Sequence, residues 1–284
     1  MKKIVLIVLI AIGVIAGAAV ALNFLFASGK ADVFDAVPSD AALILEFHDP
    51  ASQIAQLREA ALWERLALFS LPKRTDGQVH LLDSLILQNS TNTHITASVH
   101  KIASTSFGIL YSIKTKEKLD EERIAEQLGV PTKRNFKGNN LFEFANFHNN
   151  EPLAVAFKQG LVLASTNPVL VEAALSQLES GNQKLTSEEN FNEIRKLANK
   201  NKDPKIYLNC EHLPLLLSTI LNDGYTQSAK GLTQFADWMV LDYKIMNKSI
   251  FFNGYAAATE RNKGLYPVPG FFATRPQACC GSSR

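Results

Sequence analysis

Cysteine is scarce: three thiols in 284 residues, two of them adjacent at Cys279 and Cys280, cannot staple a small disulfide-built fold. With 46% hydrophobic and 9% aromatic residues, the composition also excludes a disordered or collagen-like chain. A charge excess is missing too. Setting aside Lys2, Lys3 and Lys30 leaves 26 basic against 27 acidic side chains in residues 31–284, so net charge gives no reason to expect nucleic acid as a partner.

Reactive motifs are absent as well. The chain has no Gly-x-Gly-x-x-Gly, Walker loop, Gly-x-Ser-x-Gly, His-Glu-x-x-His or Cys-x-x-Cys. No catalytic, cofactor-binding or metal-ligating residue is therefore assigned from sequence, and no cofactor is expected. The six histidines are His48, His80, His94, His100, His148 and His212. His80 and Asp83 would share a helix face, but a metal needs three or four convergent ligands, so a solvated helix edge is the simpler reading. His48-Asp49 and Glu211-His212 each follow a strand end, where binding residues often lie, yet capping and turn formation explain them. Cys210 reads as a small buried hydrophobe. The basic stretch Arg195–Lys205 could touch anionic lipid or polymer, and reads more simply as a solvated helix terminus.

What the chain does have is an apolar start. From Ile4 to Ala27, 24 residues carry no charge, about 36 Å of helix against a hydrocarbon core of about 30 Å. A helix apolar on every side must meet lipid or protein all round. Lys2 and Lys3 hold the N-terminus in the cytoplasm, which predicts a single-pass anchor in a bacterial inner membrane with the body facing the periplasm. A cleaved signal peptide ending at Ala19-Val20-Ala21 is the alternative, but Leu22, Phe24, Leu25 and Phe26 would leave a greasy new terminus. No cysteine follows the run, so a lipoprotein is not expected. Gly13 and Gly17 form a Gly-x-x-x-Gly, a spacing that small residues in membrane helices produce readily.

The body alternates strand-like and helix-like segments, and the predicted class is α+β, with mixed, largely antiparallel sheets carrying packed helices. Ala41–Phe47 reads as a buried strand and Asp49-Pro50 opens a helix. A short helix is expected over 78–88. His94–His100 and Phe107–Lys114 form a hairpin whose polar alternation predicts one solvated face. A helix from Glu117 to Leu128, strands beginning near Leu141, Pro152 and Gly160, and helices opened by Asn167-Pro168 and by Ser187–Asn190 follow. The expected core includes Phe47, Leu62, Phe107, Leu110, Val155, Leu163, Leu175, Tyr207, Leu216 and Val240.

An internal echo is visible. Asp40-AALILEF-His48-Asp49-Pro50 and Asp203-PKIYLNC-Glu211-His212-Leu213-Pro214 share the order Asp, strand, acid and histidine, then Pro opening an apolar helix. Strands at 236–245 and 249–259 then match the hairpin at 94–114. The expected units are an anchor at 1–30, a first α+β unit at 31–200, a partial second unit at 201–263 and an aberrant or disordered tail at 264–284.

The VPSDAALILEF start, the GLVLASTNPVLVEAALSQLESG block and the DPKIYLNCEHLPLLL block, with the N-terminal run, resemble a family of uncharacterised membrane-anchored envelope proteins of Bacteroidetes-type bacteria. The resemblance covers about residues 1–263 and implies an envelope location, longer relatives and no particular activity. It leaves two classes of function: a non-catalytic ectodomain that binds or scaffolds an envelope protein partner, and an anchored hydrolase or peptidase with dispersed catalytic residues.

The tail departs from the rest. Residues 264–284 hold two adjacent cysteines, three prolines, two arginines and no acid, with no apolar period. A frameshift or truncation would give this pattern, and a natural disordered terminus is the alternative. Deleting 264–284 is expected to leave the thermal midpoint unchanged; a loss of several degrees would show a packed tail.

Overall fold

In a computed structural model of the protein the described residues are 31–59, 94–104, 106–114, 121–148, 151–180, 184–198, 201–219, 231–234, 236–246 and 249–257. The anchor at 4–27, the helix at 78–88 with Leu62, His80 and Asp83, and the tail at 264–284 lie outside them. Among the described residues no helix is long and apolar enough to cross a membrane.

One antiparallel sheet of ten strands organises the body. The strands are β1 (Leu43–Phe47), β2 (Ile95–Ala103), β3 (Ser106–Lys114), β4 (Thr132–Phe136), β5 (Asn139–His148), β6 (Glu151–Lys158), β7 (Leu161–Ser165), β8 (Lys205–Asn209), β9 (Trp238–Met246) and β10 (Ser249–Ala257). Their spatial order is β10-β9-β8-β1-β2-β3-β7-β6-β5-β4. Among the described residues the α-helices are α1 (Pro50–Glu59), α2 (Glu121–Leu128), α3 (Pro168–Glu179), α4 (Glu189–Ala198) and α5 (Leu213–Leu217). The expected mixture of sheets is thus a single sheet, and every pairing among the described strands is antiparallel.

Local chemistry explains the joints. Asn167 caps α3, its side chain accepting from Val169 N at 3.0 Å, with Pro168 at the first turn. The β6–β7 turn puts Gln159 at φ 50° and Gly160 at φ 75°, the left-handed pair that matches hairpin twist. A glutamine is strained there, so Gln159→Asn is expected to stabilise by about 0.5 kcal/mol in urea unfolding, since asparagine tolerates that region best among residues with a side chain. The β4–β5 turn repeats the device at Lys137 and Gly138. β4 itself, TKRNF, has no apolar alternation and was not legible as a strand; charge on an edge strand blocks pairing with other chains.

Both faces of the sheet are covered. On one face α3, α4 and a buried 3-10 turn at Val33–Ala36 pack over Ile44, Leu110, Leu163, Tyr207 and Val240. On the other, Ala125 and Leu128 of α2 join a cluster with Ile95, Tyr111, Val155 and Val162, while Leu213 and Leu216 of α5 pack with Leu43, Val99 and Leu208. Of the expected core residues, Phe47, Leu110, Val155, Leu163, Leu175, Tyr207, Leu216 and Val240 are buried, and Phe107 is half-buried. The predicted solvated face of the β2–β3 hairpin is a correction: Thr96, Ser98, His100 and Ser112 are all fully buried. Their alternation marks a polar strip sealed beneath the first layer of helices rather than a surface.

The echo has a geometric counterpart. β1 pairs with β8 so that Ile44 faces Tyr207, Leu43 faces Leu208 and Leu45 faces Ile206. Exchanging the two strands reproduces these pairs, so a local two-fold axis passes through Ile44–Tyr207. β2 and β3 flank β1 as β9 and β10 flank β8. The outer side of β3 pairs with β7, whereas among the described residues nothing pairs with the outer side of β10, which carries the exposed Phe251 and Phe252.

Candidate functional site

Three histidines and two acids converge at the two ends of β1, all on the face packed by Phe34 and Tyr207. The C-terminal end brings together the first group. Glu46 lies on β1 and His48 directly follows the strand's last residue, two positions on; His94 precedes β2, whose Ile95 pairs with Phe47. His94 Nε2 lies 2.7 Å from Glu46 Oε1, and His48 Nε2 lies 3.4 Å from the same oxygen. The two imidazoles stack with centroids 4.7 Å apart and planes 22° from parallel. Tyr207 donates to the other oxygen, Glu46 Oε2, at 2.8 Å.

Electrostatics follow from these contacts. Burial alone would raise the Glu46 carboxyl, but the His94 hydrogen bond and charge, with the Tyr207 hydroxyl, hold it below the usual glutamate range. Burial, opposed by Glu46 but reinforced by His94, Lys205 and Lys202, lowers His48. Burial and the adjacent Glu46 push the Tyr207 phenol far above its ordinary value, so it remains a donor. The lowering of His48 favours its neutral imidazole.

The second group sits at the other end. Asp40 Oδ1 is 2.9 Å from His100 Nδ1, and His100 Nε2 is 2.8 Å from Ser98 Oγ. This is the order of a serine-hydrolase triad, yet Ser98 and His100 are both fully buried, Ser98 between Ile44 and Leu110 on adjacent strands. A substrate carbonyl cannot reach that hydroxyl without opening the core. The His100 hydrogen bond is the largest influence on Asp40 and lowers its carboxyl despite partial burial. A depressed carboxyl stabilises the fold above its unfolded value, and that contribution is lost as pH falls through the folded one. Wild type is therefore expected to exceed Asp40→Ala in stability at pH 7, the gap closing as pH drops below the ordinary aspartate range; a pH-independent gap in urea midpoints would contradict this.

Two clefts flank these groups and are related by the local two-fold. One, about 280 Å³, is lined by Asp40, Lys101, Ile102, His212 and Leu215. The other, about 390 Å³, is lined by Asp49, Ser52, Asp203, Lys244 and Ile245. Asp40 and Asp203 open the two echoed segments, and His212 and Asp49 follow the two echoed strands.

The residues singled out from sequence fall as follows. His48 joins the first group, while Asp49 is exposed on a cleft and the side chain of Gln53 accepts from the His48 and Asp49 amides. Asn209 Oδ1 accepts from the Glu211 and His212 amides, which is the expected turn role. Cys210 is buried, and burial pushes its thiol up to about 11. The basic stretch requires correction: Lys205 is 1% exposed, with Nζ 2.9 Å from the carbonyls of Asn201 and Asp203, and Arg195 binds Asp32 at 2.6 Å while lying over the Phe34 ring. Glu46 and His94 were not anticipated. Glu46-Phe47-His48 could have been seen as two ligands at one strand end, but His94 joins them only through the β1–β2 register. No protein family, curated protein or solved structure matches the chain.

Proposed function

We propose that the protein is a non-catalytic, single-pass inner-membrane protein of the bacterial envelope, anchored through residues 4–27, whose periplasmic ectodomain binds or scaffolds an envelope protein partner. The observation that carries this reading is the sealing of the reactive groups: Ser98, His100 and Cys210 are all buried among the described residues. Surfaces suited to binding remain, in the two matching clefts and in the β10 edge with Phe251 and Phe252. The symmetric β1–β8 pairing supports descent from a duplicated β-α-β-β unit. The apolar start and the Lys2-Lys3 pair support the anchor and its orientation, and the resemblance to envelope proteins agrees with both.

The test is crosslinking and affinity capture of the detergent-solubilised full chain, with N-terminal sequencing of the captured protein. A reproducible envelope partner and an intact N-terminus are expected. A mature chain beginning near Leu22 would overturn the anchor, and absence of any saturable partner would overturn the scaffold. The second reading, an anchored hydrolase, rests on the Asp40–His100–Ser98 chain. Labelling by a fluorophosphonate probe that disappears in Ser98→Ala would establish it in place of the first.

A further inference from the structure

We infer that Glu46, His48 and His94 form a binding site for one divalent transition-metal ion of the zinc class, independently of the envelope-binding role proposed above. One ligand atom from each of the three residues lies within 4.8 Å of the other two, and Glu46 Oε1 is 2.7 Å from His94 Nε2 and 3.4 Å from His48 Nε2. Ligands of a tetrahedral zinc, each at about 2.0–2.1 Å from the metal, are roughly 3.3 Å apart, so rotamer adjustment alone brings these three atoms to the required spacing. Two imidazoles with one carboxylate suit zinc, and equally cobalt(II) as its spectroscopic substitute, rather than calcium or magnesium, which take all-oxygen shells.

Hydrogen bonding without a metal is incomplete at this point. Glu46 Oε1 already meets His94 Nε2, and the second imidazole nitrogen aimed at it, His48 Nε2, is buried with no hydrogen bond of acceptable geometry. An unmet buried polar atom is costly. A cation between the three groups would satisfy both nitrogens and the carboxylate at once. Thr96 Oγ1, directly across from Glu46, is likewise buried without a partner, which makes this a polar pocket with spare capacity rather than a finished network.

The surroundings supply what a metal site needs beyond its ligands. Tyr207 holds Glu46 Oε2 at 2.8 Å, the outer contact that fixes a ligating carboxylate. Phe34 packs edge-on against His94, with centroids 6.3 Å apart, which fixes the imidazole plane. Lys205, the nearest buried cation on β8, turns its ammonium to the carbonyls of Asn201 and Asp203 and so does not occupy Glu46. The side chains of His48 and His94 are 20% and 22% exposed, which leaves an entry path and room for water as the fourth ligand.

The test is titration of the untagged, detergent-solubilised full chain with ZnCl₂ by calorimetry, and with CoCl₂ by visible absorption. One equivalent of zinc and the visible bands of four-coordinate cobalt are expected. His48→Gln and His94→Gln should each lose zinc affinity by more than the 10–100-fold that an outer-contact mutation costs, and should lose the cobalt bands. Tyr207→Phe should weaken zinc by roughly 10–100-fold and shift the bands without abolishing them, whereas His212→Gln should match wild type in both. Circular dichroism and thermal unfolding of each variant in EDTA show that it is folded. Absence of saturable zinc binding by the wild type, or retention of the cobalt bands in His48→Gln/His94→Gln, would overturn the assignment.

Discussion

Replacing Phe191 with alanine is expected to cost about 3–5 kcal/mol of unfolding free energy, the usual range for deleting a large aromatic side chain from a packed core. Phe191 is fully buried and is the hub of an aromatic cluster. Its ring lies 5.3 Å from Phe34, 5.5 Å from Tyr207 and 5.0 Å from Trp238, centroid to centroid. Those partners belong to the 3-10 turn, β8 and β9, so one side chain ties α4 to three separate segments. Relaxation cannot fill the vacated space, because Tyr207 is held by Glu46, and Trp238 Nε1 donates to Glu188 Oε2 at 3.2 Å. Urea unfolding should show a lower midpoint with an unchanged slope. A loss below about 1 kcal/mol would mean that α4 is only loosely attached to the sheet.

That cluster also shows where sequence reading succeeds. Phe191 and Ile194 recur at helical spacing, and α4 forms as expected because its periodicity is strong, although Ser187 ends a 3-10 turn instead of capping the helix. The strands at Leu141, Pro152 and Gly160 were legible for the same reason. The 3-10 turn was not. Val33–Ala36 is four residues long, too short for any period, and its capping box between Asp32 and Asp35 looks like any acidic loop until Phe34 is placed under Arg195.

The polar strip is interior for a different reason. Alternation in β2 separates two faces but does not say which of them meets water, and in a sheet covered on both sides neither does. Thr96, Ser98 and His100 therefore looked like a surface and are interior. The candidate metal ligands depend on register in the same way. Glu46 and His48 are two apart at the end of β1, but His94 lies far away in sequence and is placed by the Phe47–Ile95 pairing. The echo between 40–50 and 203–214 was visible as residue order, whereas its consequence, two strands paired about a local two-fold, required the structure.

Lys205→Met is the second substitution with a large expected effect, about 1–3 kcal/mol, because it leaves two carbonyls without their buried ammonium donor and removes the cation near Asp242. Lys205 faces Glu46 on β1 and Asp242 on β9, and both acids are buried. Methionine conserves the side-chain length, so packing loss is small and the charge is what changes. Two carbonyls lose their ammonium donor, and Asp242 loses a nearby cation that lowers its carboxyl. Burial already raises the Asp242 carboxyl, while Lys205 acts to lower it. Without the ammonium that carboxyl rises further. A carboxyl whose folded value exceeds its unfolded one releases its proton more readily on unfolding, so the fold loses stability as pH rises between the two values. The penalty of Lys205→Met should consequently be larger at pH 8 than at pH 5. Urea midpoints of wild type and variant at several pH values give the comparison. Equal midpoints at pH 8, or a penalty that grows toward acid, would show that the ammonium does not compensate Asp242.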